Sequence, residues 1–382
     1  MPRFRLISAS SCFLQASLVA GALWLVGCSS SSAAPSAEPK GPLGSVARKY
    51  ADYFPLGAAI NNWELDQAPD ALADFNHLTC ENAMKPFNIH PSEDRYDFAE
   101  ADRIANFARS HGFKMTGHAL LWHRQTADWW FDGLTASDPS TIELLKSRLK
   151  AHIETVVTRY ADVVDNWDVV NEVISSYDHV YRDGSEGSKW YEMFGNEEYV
   201  YWAYQYAHDA LEAVAPGSSV GKLYYNDYTV TSKVDKILTM LSWLETRGIR
   251  VDGVGFQSHE YMNWPGTDEL QGAFDRFVAA GYKLKISELD VTVYDDYATG
   301  GFVPSPQVEY TPELADAQAL RFASLFSVYR ANKDNITSVT FWGLTDNRSW
   351  LNYVPVEGRA DYPLLYLDPK TPKSARAEIM NF

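Results

Sequence analysis

Eight short runs of nearly uninterrupted apolar residues recur along this chain, at 54–60, 77–80, 114–121, 166–170, 221–225, 253–257, 283–287 and 338–342. Between them apolar residues return every three or four positions, as in Ile142, Leu145, Leu149, Ile153 and Val156, or in Val234, Ile237, Leu241 and Leu244 with Gly248 as a stop signal. Leu314, Ala317, Leu320 and Phe326 open a last long helical pattern. Strands without polar alternation are buried on both faces, which requires a parallel sheet covered by helices. Eight such units predict an α/β fold, a single-domain TIM (β/α)8 barrel over residues 46–382. An open doubly wound sheet is the other arrangement of this pattern, but no Gly-rich phosphate turn follows the first run.

Ahead of the barrel the pattern changes. Arg3 and Arg5 precede an apolar run from Cys12 to Val26, the layout of a secretory signal peptide over 1–27. Leu25-Val26-Gly27-Cys28 resembles a bacterial lipobox, so Cys28 is the expected lipid attachment site; a plain signal peptide cut nearby and an uncleaved anchor helix are the alternatives. Residues 28–45, rich in Ser, Ala and Pro, read as the lipidated Cys and a flexible tether. The expected location is the bacterial cell envelope, at the outer membrane. Contact with membrane is expected through this anchor alone, and the protein is expected to be a monomer. Cys80 is then the one cysteine left in the barrel and reads as a small buried apolar residue. A formal charge of −17 argues against a nucleic-acid partner.

A barrel places its chemistry at the C-terminal ends of its strands. There the sequence sets Glu81-Asn82, His118 and His123, Asn171-Glu172, Asn226-Asp227-Tyr228, Gln257 and His259, Glu288 and Asp290, and Trp342. A carboxylate next to a buried strand is costly unless it is paired. Asn171-Glu172 alone could be a helix cap, and Glu288 alone an acid paired with a nearby base. Two such acids on one rim are the minimum equipment for cutting a glycosidic bond. At a separation of about 5–5.5 Å one carboxylate can be a nucleophile, giving retention. Glu288 is the expected nucleophile and Glu172 the proton donor and base, its proton affinity raised by the charge on Glu288. Asp290, two residues beyond Glu288, is placed to hold His259 against it. Asn171 is placed to bond a sugar 2-hydroxyl. Trp122, Trp342 and Trp350 suit the flat faces of sugars, whereas Trp167, Trp202 and Trp243 read as packing. His118 and His123 have no acid or Cys at metal spacing, so neither a metal nor a cofactor is expected.

Read in order, Glu81-Asn82-Ala83-Met84-Lys85, Gly117-His118 through Trp122-His123 to Gln125, Trp167-Asp168-Val169-Val170-Asn171-Glu172, Tyr225-Asn226-Asp227-Tyr228, Gln257-Ser258-His259, Glu288-Leu289-Asp290 and Trp342-Gly343 through Asp346 to Trp350 resemble glycoside hydrolase family 10, the retaining endo-β-1,4-xylanases. The resemblance covers about residues 46–382. It implies hydrolysis of internal bonds in xylan and xylo-oligosaccharides, with Glu172 as acid/base and Glu288 as nucleophile. It implies that Glu81, Asn82 and Lys85 hold the xylose one step from the cut on the non-reducing side. His118, Trp122, Asn171, Gln257 and His259 would surround the sugar being cut, under Trp342 and Trp350, with Gln125 also binding substrate and Tyr228 on the leaving side. Pro86-Phe87 departs from the family's pattern, and the stretch 295–311 is long, either shaping the leaving side or forming a variable surface loop. Activity on β-1,4-glucans is the neighbouring enzymatic possibility. A saccharide-binding barrel without activity would be expected to have lost one of the two acids, and neither is lost.

Overall fold

The computed structural model describes residues 45–176, 180–218, 221–297 and 302–382. The expected signal segment, Cys28 and the tether lie outside them, as does Gly300-Gly301 in the long stretch. Position 45, assigned to the tether, instead starts the helix Ser45–Lys49.

The barrel strands are β1 (Leu56–Ile60), β2 (His77–Cys80), β3 (Lys114–Trp122), β4 (Val164–Asn171), β5 (Leu223–Asp227), β6 (Gly253–Phe256), β8 (Lys283–Thr292) and β9 (Ile336–Phe341), with a short β7 (His259–Tyr261) standing beside β8. Each barrel strand pairs in parallel with its neighbour, β6 bonds β8, and β9 bonds β1, which closes the ring. All eight apolar runs become strands. Burial on both faces explains their lack of alternation: β1, β2, β5 and β6 are buried at every position.

Among the described residues the six long helices are α1 (Ala99–His111), α2 (Pro139–Tyr160), α3 (Glu198–Val214), α4 (Val230–Glu245), α5 (Thr267–Ala279) and α6 (Pro312–Ala331). In α2, the Asp138 carboxylate accepts from the Ser140 and Thr141 amides, and Pro139 occupies the first turn, where its missing N–H is not needed. Leu145, Leu149, Ile153 and Val156 are buried as the periodicity predicts. So are Val234, Ile237, Leu241 and Leu244 of α4. The α6 expectation is corrected. Leu320 is 65% exposed, and the buried face carries Gln318, Ala319, Phe322, Leu325, Phe326 and Tyr329. Gln318 turns the helix: its amide donates to the carbonyls of Val291 (2.8 Å) and Tyr362 (2.6 Å), so a polar residue leads the inward stripe.

Polar side chains also cross the barrel interior. Lys285 of β8 lies 2.7 Å from Asp168 of β4, and Asp168 bonds His118 Nδ1 of β3 at 2.9 Å. Burial opposes the charge on Asp168, but Lys285 and His118 hold its carboxyl below the ordinary range. Cys80 is fully buried and burial raises its thiol pKa, matching its reading as an apolar residue.

Candidate active site

The polar residues gather at the C-terminal mouth, but fewer of them stand beyond the strands than the apolar runs imply. Glu81, Glu172, Gln257 and Trp342 each immediately follow a strand. His118, Asn226 and Asp227 lie within strands, as do Glu288 and Asp290, because β8 continues to Thr292. The extension exists because β7 supplies a second ladder, His259 opposite Asp290 and Tyr261 opposite Thr292, after β6 has ended. Ser258, at φ 57°, turns the chain between β6 and β7.

Around Glu288 the charges are complementary. Its Oε1 accepts from Asn226 Nδ2 at 2.7 Å, and its Oε2 lies 3.2 Å from His259 Nε2. The other nitrogen of His259 is 3.0 Å from Asp290 Oδ2, which also accepts from Trp350 Nε1 at 2.9 Å. Burial disfavours a charged His259, but Asp290 and Glu288 outweigh it and raise its pKa to about 10. Burial likewise pushes Glu288 up, yet the bond to His259 and the charges of His118, His259 and Lys85 bring it below the ordinary value. Glu288 is therefore ionised at neutral pH.

Glu172 lies in the opposite environment. It sits at φ 57°, a left-handed conformation uncommon for a side chain of this size, held by its amide bond to the Asn226 carbonyl at 2.9 Å. Its Oε2 accepts from Trp122 Nε1 at 2.8 Å and its Oε1 from Gln257 Nε2 at 2.9 Å. Burial raises its pKa, and the charges of Asp227 and then Glu288 add to the rise. The expectation that Glu288 sets the proton affinity of Glu172 is thus refined: burial comes first, and Asp227 precedes Glu288. Three amides connect the two acids, since the Asn171 side chain lies 3.0 Å from that of Asn226 and 3.3 Å from that of Gln257.

On one side of this pair, Glu81 accepts from Asn61 (2.6 Å) and Asn82 (3.2 Å), and Lys85 donates to Asn82 at 3.1 Å. The Lys85 ammonium stands over Trp122 and Trp342, 5.1 and 5.6 Å from their rings. Burial lowers its pKa, against the charges of Glu288, Glu81 and Glu172. Trp342 packs edge-on to His118 at 5.1 Å, and Trp350 lies 5.0 Å from His259. Trp167 is core, as read, and Trp202 and Trp243 are half-buried against it. Tyr228 accepts from Arg182 at 3.0 Å and bonds Ser176 at 2.7 Å. Gln125 is exposed, and among the described residues its side chain makes no hydrogen bond; its carbonyl accepts from Phe87 N at 2.6 Å, which ties the unusual Pro86-Phe87 turn to this loop. The stretch 302–311 is fastened down, since Asp296 pairs with Arg359 and accepts from the Ser305 amide at 2.7 Å.

Asn226, which donates to Glu288, is a residue of this cluster that sequence reasoning left without a role. Its position at a strand end is the signal that would have found it. Its place depends on Gly255, its neighbour in β6, where any Cβ would come 2.3 Å from the Asn226 oxygen. Arg182, whose Nε donates to the Glu172 carbonyl at 3.1 Å, was also missed, because it lies outside the strand-end pattern.

A buried carboxyl biased towards its proton beside a carboxylate biased against one is equipment for acid-assisted displacement at an acetal carbon. Known proteins agree with this chemistry. Residues 45–382 match the profile of Glycosyl hydrolase family 10. Among curated relatives, Endo-1,4-beta-xylanase B of Paenibacillus barcinonensis is 37% identical over 87% of this chain and 96% of its own. Endo-1,4-beta-xylanase A of Caldicellulosiruptor saccharolyticus is 38% identical over 88% and 96%. Among solved structures, an endo-1,4-beta-xylanase from Caldicellulosiruptor owensensis superposes with TM-score 0.79 at 35% identity, covering 89% of this chain and 100% of that one. A mutant in complex with xylotriose has TM-score 0.79 at 36% identity, covering 89% and 100%. This chain belongs to glycosyl hydrolase family 10.

Proposed function

We propose that this protein is a retaining endo-β-1,4-xylanase that cleaves internal bonds of xylan and xylo-oligosaccharides by double displacement. The observation that carries the reading is the opposed bias of two neighbouring buried carboxyls, Glu172 towards its proton and Glu288 against it. In the first step a Glu288 oxygen bonds the anomeric carbon. The glycosidic carbon–oxygen bond breaks as Glu172 gives its proton to the departing oxygen. In the second step water attacks the same carbon, Glu172 takes the water's proton, and the bond to Glu288 breaks. Esterifying Glu288 removes one of the charges that hold the proton on Glu172, which favours its turn as base. Burial and Asp227 persist, so the change is partial.

Asp290 and His259 act as supports that keep Glu288 ionised. Asn171, His118, Trp122, Gln257 and His259 surround the sugar being cut, and Asn171 reaches its 2-hydroxyl. Trp342 and Trp350 roof it. Glu81, Asn82 and Lys85 hold the next xylose on the non-reducing side, Tyr228 faces the leaving side, and Gln125 borders the cleft. The likeness to xylanases and the clustering of these residues at one mouth support this assignment. NMR of the first product released from xylan tests it: the β-anomer should appear first, and the α-anomer first would overturn double displacement.

The same reading extends to location. Residues 1–27 act as an export signal, and Cys28 carries the lipid that holds a monomeric enzyme at the outer membrane. The support is the sequence around Cys28. Cys28→Ser should move the enzyme from the membrane fraction to the soluble one, and retention of the variant in the membrane would count against the anchor.

A further inference from the structure

On the Glu81 side of the mouth lies a cavity of about 240 Å³ lined by Asn61, Glu64, Glu81, Arg348, Trp350 and Tyr353. It is continuous with the site described, since Glu81 and Trp350 belong to both. Its two acids are already engaged. Glu81 accepts from Asn61 and Asn82, and Glu64, 4% exposed, accepts from the Asn61 backbone amide at 2.9 Å. Arg348 is different. Its exposed guanidinium is held 4.7 Å over the Trp63 ring, and among the described residues its side chain makes no hydrogen bond and no ion pair. Glu64 is the acid whose charge it meets in the cavity, and that carboxylate is already taken by the Asn61 amide, so the guanidinium has no directly bonded acid. A guanidinium stacked on an aromatic face is pre-oriented and still has its planar fork of donors to offer. The group that matches that fork is a carboxylate. Tyr353, 64% exposed, adds an aromatic wall to the cavity for an apolar sugar face.

We infer that this cavity is a subsite for an acidic branch, in which Arg348 binds the carboxylate of a uronic acid carried by the xylan chain on the non-reducing side of the cut. The inference rests on the xylanase reading and adds a substrate class to it. Other arginines of the molecule face inward to acids, such as Arg359 to Asp296 and Arg321 to Glu260. Arg348 lines the cavity and acts on Glu64 through charge, without a hydrogen bond or ion pair that would occupy its donors.

The test compares kcat/KM on linear xylohexaose with that on a xylo-oligosaccharide bearing one glucuronic acid branch, and on the methyl ester of that branch. The wild type should favour the acid over its ester, and the preference should weaken at high salt because the pair is exposed. Arg348→Gln should lower activity on the acid about tenfold, the worth of one charge-assisted contact, and leave xylohexaose within about twofold. Equal activity of the wild type on acid and ester, or an equal fall on acidic and linear substrates in Arg348→Gln, would overturn the subsite. Failure to cleave xylohexaose would instead refute the xylanase reading on which it stands.

Discussion

Glu172 and Glu288 have the same side chain and opposite tasks, and their neighbours make the difference. For kcat/KM on xylan, Glu288 must be ionised and Glu172 protonated, so the acid limb of the pH profile should lie below the ordinary glutamate value and the alkaline limb above it. Trp122 donates to the charged form of Glu172, so Trp122→Phe should move the alkaline limb to higher pH. His259 favours the charged form of Glu288, so His259→Asn should move the acid limb upwards. Limbs that stay put in both variants would refute these assignments. Glu288→Ala should abolish cleavage of every substrate. Glu172→Ala should lower kcat/KM on xylan by about 10²–10⁴-fold, the usual worth of a general acid, and spare aryl glycosides whose leaving group needs no proton. Equal losses on both substrates would remove Glu172 from the acid role. The two acids were legible in the sequence as polar residues ending apolar runs. The prominence of burial and Asp227 over Glu288 in biasing Glu172 was not, because it depends on what the folded chain stacks around that carboxyl.

Strands β3 and β4 show how an element makes room for its neighbour. Gly117 of β3 pairs with Trp167 of β4, and a Cβ at Gly117 would come 2.1 Å from the indole. The ring is 1% exposed and has nowhere to move. Gly117→Ala should therefore destabilise the fold by about 1–3 kcal/mol, the cost of overpacking a filled core. Urea unfolding checks this, and an unchanged midpoint would mean that the indole yields. All eight strands were readable because burial on both faces leaves a nearly continuous apolar signal. The far half of β8 was not, since its backbone from Asp290 onward bonds β7 and its acids Glu288 and Asp290 are met by Asn226, His259 and Trp350, partners that no local pattern announces. The buried face of α6 was misjudged for a related reason: Gln318 points inward because two carbonyls elsewhere in the chain accept from it.

Closing the ring joins the two ends of the barrel sequence. Asp74, 2% exposed, lies just before β2 and accepts from the Val46 amide (3.3 Å) and Arg376 Nη2 (3.0 Å). The Tyr50 hydroxyl meets the Ile379 carbonyl across the same seam. Arg376→Met would strip the buried Asp74 of its cation and should cost about 2 kcal/mol, less than a fully buried pair because the arginine is partly exposed. A thermal midpoint equal to the wild type's would show that the seam is held by packing alone. The order of apolar runs determined that the chain forms parallel β/α units with its acids on one rim, because strand period and helix period are local properties of a chain. Which acid keeps its proton, which asparagine holds the other, and which arginine lines a cavity without a hydrogen-bonded acid were decided only when residues on different strands and loops were brought into contact, because charge, burial and hydrogen bonding act through space and take no account of sequence distance.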